Sequence, residues 1–155
     1  MRASGILMPV FSLPSRYGIG SFSKSAYQFV DMLKKAGQKY WQILPLCPTS
    51  YGDSPYQSFS TYAGNPYFID LDQLIEEKLL TRKECQTCDF GDDPQDIDYG
   101  KLYENRFKLL RKAYERANVG EDQEFEAYRR ENAWWLDDYA LFMAVKDRFD
   151  GAPWN

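Results

Sequence analysis

The stretch with the residue types for chemistry is Tyr51-Gly52-Asp53-Ser54-Pro55-Tyr56-Gln57-Ser58-Phe59-Ser60-Thr61-Tyr62-Ala63-Gly64-Asn65. It sets aromatic rings among hydroxyls, a carboxylate (Asp53) and an amide (Gln57), with Gly and Pro shaping the backbone, and it shows neither a helical nor a strand period. Loops of this length without regular structure are uncommon unless they serve function. The chemistry this composition suits is polyol recognition: ring faces cover the C–H surface of a sugar while Ser, Asp and Gln exchange hydrogen bonds with its hydroxyls. The competing reading is a rigid Tyr-rich loop packed on its own rings.

Several other chemistries are excluded or disfavoured. The 155 residues contain no histidine, so a site built from this chain alone has no imidazole base, no His metal ligand and no Ser-His-Asp triad. Net charge is −4, divided unevenly: residues 1–71 carry 6 Lys+Arg against 3 Asp+Glu, and residues 72–155 carry 13 against 20. Neither part is a basic patch, so no nucleic-acid partner is expected. The acidic part reads as a solvated helical surface. Three cysteines, Cys47, Cys85 and Cys88, with no secretory signal, suggest a reducing, cytoplasmic setting. Cys85 and Cys88 have C-x-x-C spacing, but zinc needs two more ligands and a thioredoxin-type site needs a strand-to-helix context, so the spacing reads as coincidence and no metal is expected. Ile6-Leu7-Met8-Pro9-Val10-Phe11 is too short and proline-broken to span a membrane, and no membrane partner is expected.

The elements that must position the loop read as follows. Ser4–Met8 is an apolar run stopped by Pro9, expected as a buried strand. In the turn-rich segment after it, Gly18-Ile19-Gly20 lacks the third glycine of a dinucleotide fingerprint, since position 23 is Ser. Ser23 suits the N-cap of a helix whose apolar face is Ala26, Phe29, Val30 and Leu33, ending before Gly37. Lys39–Leu44 is a second strand. The two strand starts lie about 35 residues apart with a helix between, the spacing of a βαβ unit and hence of a parallel sheet. Sites in such sheets lie beyond the carboxyl ends of the strands, which is where the Tyr51–Asn65 loop falls.

A third short strand is expected over Tyr67–Leu71, and helices from Asp72 onward. Thr81-Arg82-Lys83-Glu84 reads as a capping box. Tyr103, Phe107, Leu110 and Tyr114 form one core stripe. Glu121–Glu131 reads as an exposed charged helix, and Ala133–Phe149 as a separate apolar one with Trp135, Tyr139, Phe142 and Met143 in the core. With three strands only, the chain is either a small helix-rich α/β domain or the front of a longer protein.

Longer motifs carry a resemblance. Ser4-Gly5-Ile6-Leu7, Ser12-Leu13-Pro14, Tyr17-Gly18-Ile19-Gly20, Ala36-Gly37-Gln38 with Trp41-Gln42 and Leu44-Pro45-Leu46, and Gly52–Ser58 through Ala63–Pro66 resemble the amino-terminal third of the amylomaltase family, the 4-α-glucanotransferases or disproportionating enzymes. Ile69-Asp70-Leu71, Asp98-Tyr99 and Trp135-Leu136 with Asp138–Phe142 agree, in order along the chain. The resemblance implies an α/β fold that is the amino-terminal part of a (β/α)8 TIM barrel: residues 1–71 as its first three strands with a sugar-binding loop at 45–66, and residues 72–155 as a mostly helical insertion subdomain. It implies cofactor-free transfer of α-1,4-glucan segments to the 4-hydroxyl of glucose or another glucan by a retaining two-carboxylate mechanism. The family's catalytic carboxylates follow later strands, so no catalytic residue is expected in this chain, which by itself would be inactive.

What the resemblance assigns here is substrate binding. Tyr56 is similar to the tyrosine that stacks on the sugar at the cleavage point and Ser54 to a serine bonding in the same groove. Asp53 and Gln57 flank them, although an Asp before Ser-Pro also suits organising a turn. Tyr51 and Tyr99 are matched to a secondary glucan-binding groove. Cys47 departs from the family pattern, which has glycine there, and puts a thiol near the groove. The expected partners are α-1,4-glucans and maltooligosaccharides, and a truncated chain is expected to self-associate through exposed strand edges. The alternatives are a stand-alone α-glucan-binding or scaffold protein and an amylase-like glycoside hydrolase.

Overall fold

The structure is a computed structural model that describes residues 2–50 and 52–152. Two short strands, β1 (Gly5–Leu7) and β2 (Tyr40–Gln42), pair in parallel with Ile6 opposite Trp41. The ladder continues through Lys39 N–H to the Ser4 carbonyl (2.9 Å) and Met8 N–H to the Gln42 carbonyl (3.0 Å). Gly5 is required by the closeness of the pair, because a Cβ there would lie 2.6 Å from the Tyr40 carbonyl oxygen. Helix α1 (Lys24–Lys35) makes the crossover. Ser23 caps it by accepting from Ser25 N–H, and Gly37 ends it at φ +71°. Phe29 packs on Trp41 at 5.1 Å, and the Trp41 indole donates to the Met8 carbonyl (2.7 Å), so the helix covers the sheet through one aromatic pair.

The first strand is nevertheless not buried: all three β1 residues are exposed, Leu7 at 55%. A run of apolar residues was expected to sit between two layers, but a two-stranded sheet offers described neighbours on one side only. Val30 is exposed as well, leaving Ala26, Phe29 and Leu33 as the inner face of α1.

The expected third strand does not form. Pro66–Phe68 is a 3-10 turn, and α2 (Leu71–Glu76) begins directly afterwards. Local caps decide this. The Asn65 side chain accepts from Tyr67 N–H (2.9 Å), Pro66 starts the turn, and Asp70 accepts from Asp72 N–H (3.1 Å). Tyr67 and Phe68 are both buried, which the alternating faces of a half-covered strand would not allow.

Thr81 and Glu84 form the expected capping box of α3 (Arg82–Gln86): Glu84 N–H donates to the Thr81 hydroxyl oxygen (3.2 Å), and Thr81 N–H to the Glu84 carboxylate (2.9 Å). The same carboxylate takes bonds from Arg116 and Lys112, and these hold its pKa far below the usual range. Cys85 and Cys88 lie in and just after α3, with Cys85 in the core, and burial raises both thiol pKa values, the opposite of a reactive pair.

Helix α4 (Tyr99–Arg116) keeps the expected period but is rotated. Its inner face is Leu102, Arg106, Leu109 and Ala113, one residue before each member of the aromatic stripe, and Tyr103 and Tyr114 are largely exposed. Two close fits set this rotation. Leu102 fills space beside Gly18, where a Cβ would lie 2.5 Å from the Phe90 carbonyl, and Arg106 reaches inward to backbone carbonyls.

The charged and apolar carboxyl-terminal segments are one helix, α5 (Gln123–Arg148), because no Gly or Pro interrupts residues 121–150. None of its residues is buried, so Trp135, Tyr139, Phe142 and Met143 are half-covered rather than core. Instead the core joins Val10, Leu13 and Ile19 after β1 with Leu71, Leu80, Leu102 and Leu109. No helix among the described residues is long and apolar enough to cross a membrane.

Candidate functional site

Beyond the carboxyl end of β2, the chain leaves through Pro45 and returns to the core at Asn65, whose N–H donates to the Leu46 carbonyl (2.8 Å). That bond closes the neck of the loop. Inside it, Ser50 N–H donates to the Gln57 carbonyl (3.0 Å), Asp53 N–H to the Ser50 carbonyl (3.1 Å) and Gln57 N–H to the Ser54 carbonyl (3.1 Å). Ser54 steadies the tip further, its hydroxyl oxygen accepting from Tyr56 N–H (3.3 Å). Asp53 adopts φ +55° after Gly52 at φ +93°, a left-handed corner that Asp tolerates better than most residues.

Of the residues expected to bind sugar, Tyr56 and Gln57 stand exposed at the tip, Tyr56 at 73%. Ser54 sits half-buried beneath them. Asp53 belongs to a different environment: with Thr49, Asn65 and Tyr99 it lines a cavity of about 10 Å³, room for roughly one water centre. Burial raises its carboxyl pKa. Tyr99, the first residue of α4, is half-buried here, its ring 6.2 Å from that of Tyr67. Burial first, and the nearby Asp53 charge second, raise the Tyr99 phenol and push Tyr67 up to about 12. Tyr51 lies outside the described residues. The structure thus brings Asp53 and Tyr99 to one inner cavity, with Tyr56 and Gln57 on the outer tip.

Arg106 supports this arrangement from below. It is 1% exposed, donates to the Ile69 carbonyl (2.5 Å) and the Tyr17 carbonyl (3.4 Å), and leaves its Nε without a partner among the described residues. Burial lowers its pKa to about 10, with the Asp70 charge opposing. The bond to Ile69 pins the chain just past the 3-10 turn that carries Tyr67.

The far side of the loop meets α5. Ser58 and Ser60 are engaged inside the loop: the Ser58 hydroxyl donates to the Ser60 carbonyl (2.7 Å), and the Ser60 hydroxyl oxygen accepts from the N–H groups of Tyr62 and Ala63 (both 3.1 Å). The Tyr62 ring stands edge-on to Trp134 at 4.7 Å and tilted to Trp135 at 5.8 Å, while Phe59 meets Phe142 at 5.9 Å with the Lys146 ammonium 5.1 Å from its ring. Between loop and helix runs an open groove of about 440 Å³. The α5 wall was missed in the sequence, where its rings read as core. Its signal was present: Asp138 falls in the i, i+3, i+4, i+7 stripe Trp135, Asp138, Tyr139, Phe142, where a core-facing helix would not place a carboxylate. Burial raises the Tyr139 phenol, with a smaller contribution from Cys47.

A parallel βαβ unit whose second strand opens into a hydrogen-bonded loop of rings and hydroxyls defines an α/β arrangement with its candidate loop beyond the carboxyl end of the second strand. Residues 8–155 match the 4-alpha-glucanotransferase family, and the chain belongs to it. It is 55% identical over 148 residues to the 4-alpha-glucanotransferase of Clostridium butyricum, covering 96% of this chain and 30% of that protein. It is 53% identical over 155 residues to that of Streptococcus pneumoniae, covering 99% and 31%. Among solved structures, the amylomaltase of Streptococcus agalactiae in complex with acarbose superposes with a TM-score of 0.90 at 44% identity, over 98% of this chain and 31% of that one. The chain therefore spans about 30% of the length of the relatives it matches.

Proposed function

We propose that this chain is the glucan-holding part of a 4-alpha-glucanotransferase, with β1 and β2 as adjacent strands of a (β/α)8 barrel. The observation that carries the reading is Tyr56: a broad apolar ring, 73% exposed, on a tip braced by four hydrogen bonds between residues 50 and 57 beyond the end of β2. An exposed ring on a braced tip is a stacking surface for the C–H face of a glucose unit, and it binds with little loss of side-chain freedom. Ser54 and Gln57 supply hydrogen bonds beside it. The substrate class, α-1,4-glucans, comes from the family, and the acarbose bound by the streptococcal amylomaltase is in keeping with it.

In this reading the bond-breaking groups belong to a longer polypeptide: one carboxylate attacks the anomeric carbon, and a second carboxyl protonates the leaving 4-oxygen, then takes the proton of the acceptor 4-hydroxyl. Exposed Ile6, Leu7 and Tyr40 on the strand pair, and Trp134, Leu141 and Phe149 on α5, support self-association of this chain when alone. The test is product analysis with maltotriose. In a polypeptide of the relatives' length, Tyr56→Ala should lower transfer about tenfold or more while Tyr56→Phe keeps most of it. Glucose and longer oligomers formed by residues 1–155 alone would sink the claim that cleavage is supplied from outside them.

A further inference from the structure

We infer that the small cavity beneath the tip, lined by Thr49, Asp53, Asn65 and Tyr99, is a site for one structural water, and that through it Asp53 acts as a positioning residue for Tyr56. What the tip holds is taken from the function proposed above; the water site itself rests on geometry. Residues far apart in the chain wall the cavity, among them the buried Ile19 and Phe68, and its volume of about 10 Å³ suits a single water.

The polar groups on the wall form a set that one water satisfies. Asn65 is 8% exposed; its side-chain oxygen accepts from Tyr67 N–H (2.9 Å), and its side-chain nitrogen makes no hydrogen bond among the described residues. The same holds for the Asp53 carboxylate and the Thr49 and Tyr99 hydroxyls, which line the cavity with it. A carboxylate only accepts, an amide nitrogen only donates, and a hydroxyl does either. A water accepts from the amide, donates to the carboxylate and bonds the hydroxyls, whereas a cation would meet the amide hydrogens and an anion the carboxylate.

The place of this water in the loop gives it a role. The four bonds that brace the tip run between residues 50 and 57, so they shape it without tying it to its surroundings. Thr49 and Asn65 stand at the neck, where Asn65 N–H meets the Leu46 carbonyl (2.8 Å), and Tyr99 opens α4. Asp53 is the φ +55° corner that leads into Ser54-Pro55-Tyr56. A water shared by these groups links the corner to the neck and to α4, and so fixes the direction in which the Tyr56 ring is presented.

The test uses a polypeptide of the relatives' length and the variant Thr49→Val, which removes one hydroxyl from the cavity wall, keeps the shape and leaves Tyr56, Ser54 and Gln57 untouched. Amide exchange across residues 50–57 should quicken about fivefold, the loss of one ordinary hydrogen bond. KM for maltotriose should rise about threefold or more with kcat within about twofold, because a looser tip must be ordered as sugar binds. Thr49→Ser, which restores the hydroxyl, should bring both back toward wild type. In a Tyr56→Ala background the KM effect of Thr49→Val should vanish while the exchange effect stays. Unchanged exchange in Thr49→Val would overturn the inference, as would a crystal structure in which these side chains close on one another with no water between them. Faster exchange with KM unmoved would overturn the positioning role. If Tyr56→Ala alone left transfer intact, the proposed function of the tip would fail, and exchange and the crystal structure would still decide the water site.

Discussion

The region under α4 and the region under α5 are built from similar residues and hold together by different means. Beneath α4, Leu102, Leu109 and Ala113 are buried against Val10, Leu13 and Leu71, and a buried charge, Arg106, bonds two carbonyls far apart in sequence. Beneath α5, a helix of 26 residues buries none of them and touches the loop through ring edges at 4.7–5.9 Å. The first region is a closed interior whose stability is its own. The second is a surface already shaped but incompletely covered by the described residues.

The sharpest way to break this contrast is to open the interior. Arg106→Ala leaves the carbonyls of Tyr17 and Ile69 without their donors and removes the stem that fills the space between α4 and the chain after β1. Two lost buried bonds and a cavity should cost about 3 kcal/mol or more. Urea unfolding should show it as a large fall in midpoint, and Arg106→Met, which keeps the stem, should recover part of it. A midpoint shift below that of the loop variant that follows would mean that the closed interior is not where stability resides.

Opening the other region should cost less and show differently. Tyr62→Ala removes one ring that packs on two tryptophans, and at 60% exposure it gives up little buried area. About 1 kcal/mol is expected from the lost ring pairs. Hydrogen exchange should rise in residues 58–63 and along α5 while α4 amides stay protected. Equal deprotection of α4 would show that the two regions unfold as one.

How much of this was readable beforehand follows the same division. Features fixed by neighbours in sequence were legible: the Ser23 cap, the Thr81–Glu84 box, the Gly37 stop and the parallel pairing of two strands one crossover apart. The 67–71 turn was misread because its apolar residues suggested a strand, while the caps from Asn65 and Asp70 act on the backbone and leave no trace in hydrophobic pattern. The rotation of α4 was not legible because aromatic and aliphatic stripes one residue apart have the same period, and tertiary fits, Leu102 beside Gly18 and the carbonyls awaiting Arg106, choose between them. In the candidate site, Tyr56 and Gln57 are exposed at the loop tip, whereas the inward position of Asp53 goes with a positive φ that no pattern of residue types announces.

Asp53 supplies the smallest and most specific test, because it lies between the loop and the closed interior. Its carboxyl is raised by burial, so the folded state binds a proton more readily than the unfolded chain. Between the unfolded value and the higher folded one, the native state carries more protons, and stability falls as pH rises through that window. Asp53→Asn keeps the shape, tolerates φ +55° and removes the ionisation. The variant should therefore melt slightly higher than wild type at neutral pH, with the difference vanishing below the unfolded-state pKa of Asp. A second slope, loss of stability from about pH 10 upward as Tyr67 is forced to ionise, should remain and should weaken on the Asn variant, because the Asp53 charge is part of what pushes that phenol up to about 12. If the Asn variant melted lower than wild type at pH 7, Asp53 would be holding the corner as an ion through partners on the loop, and the inner cavity and the outer tip would have to be treated as one site.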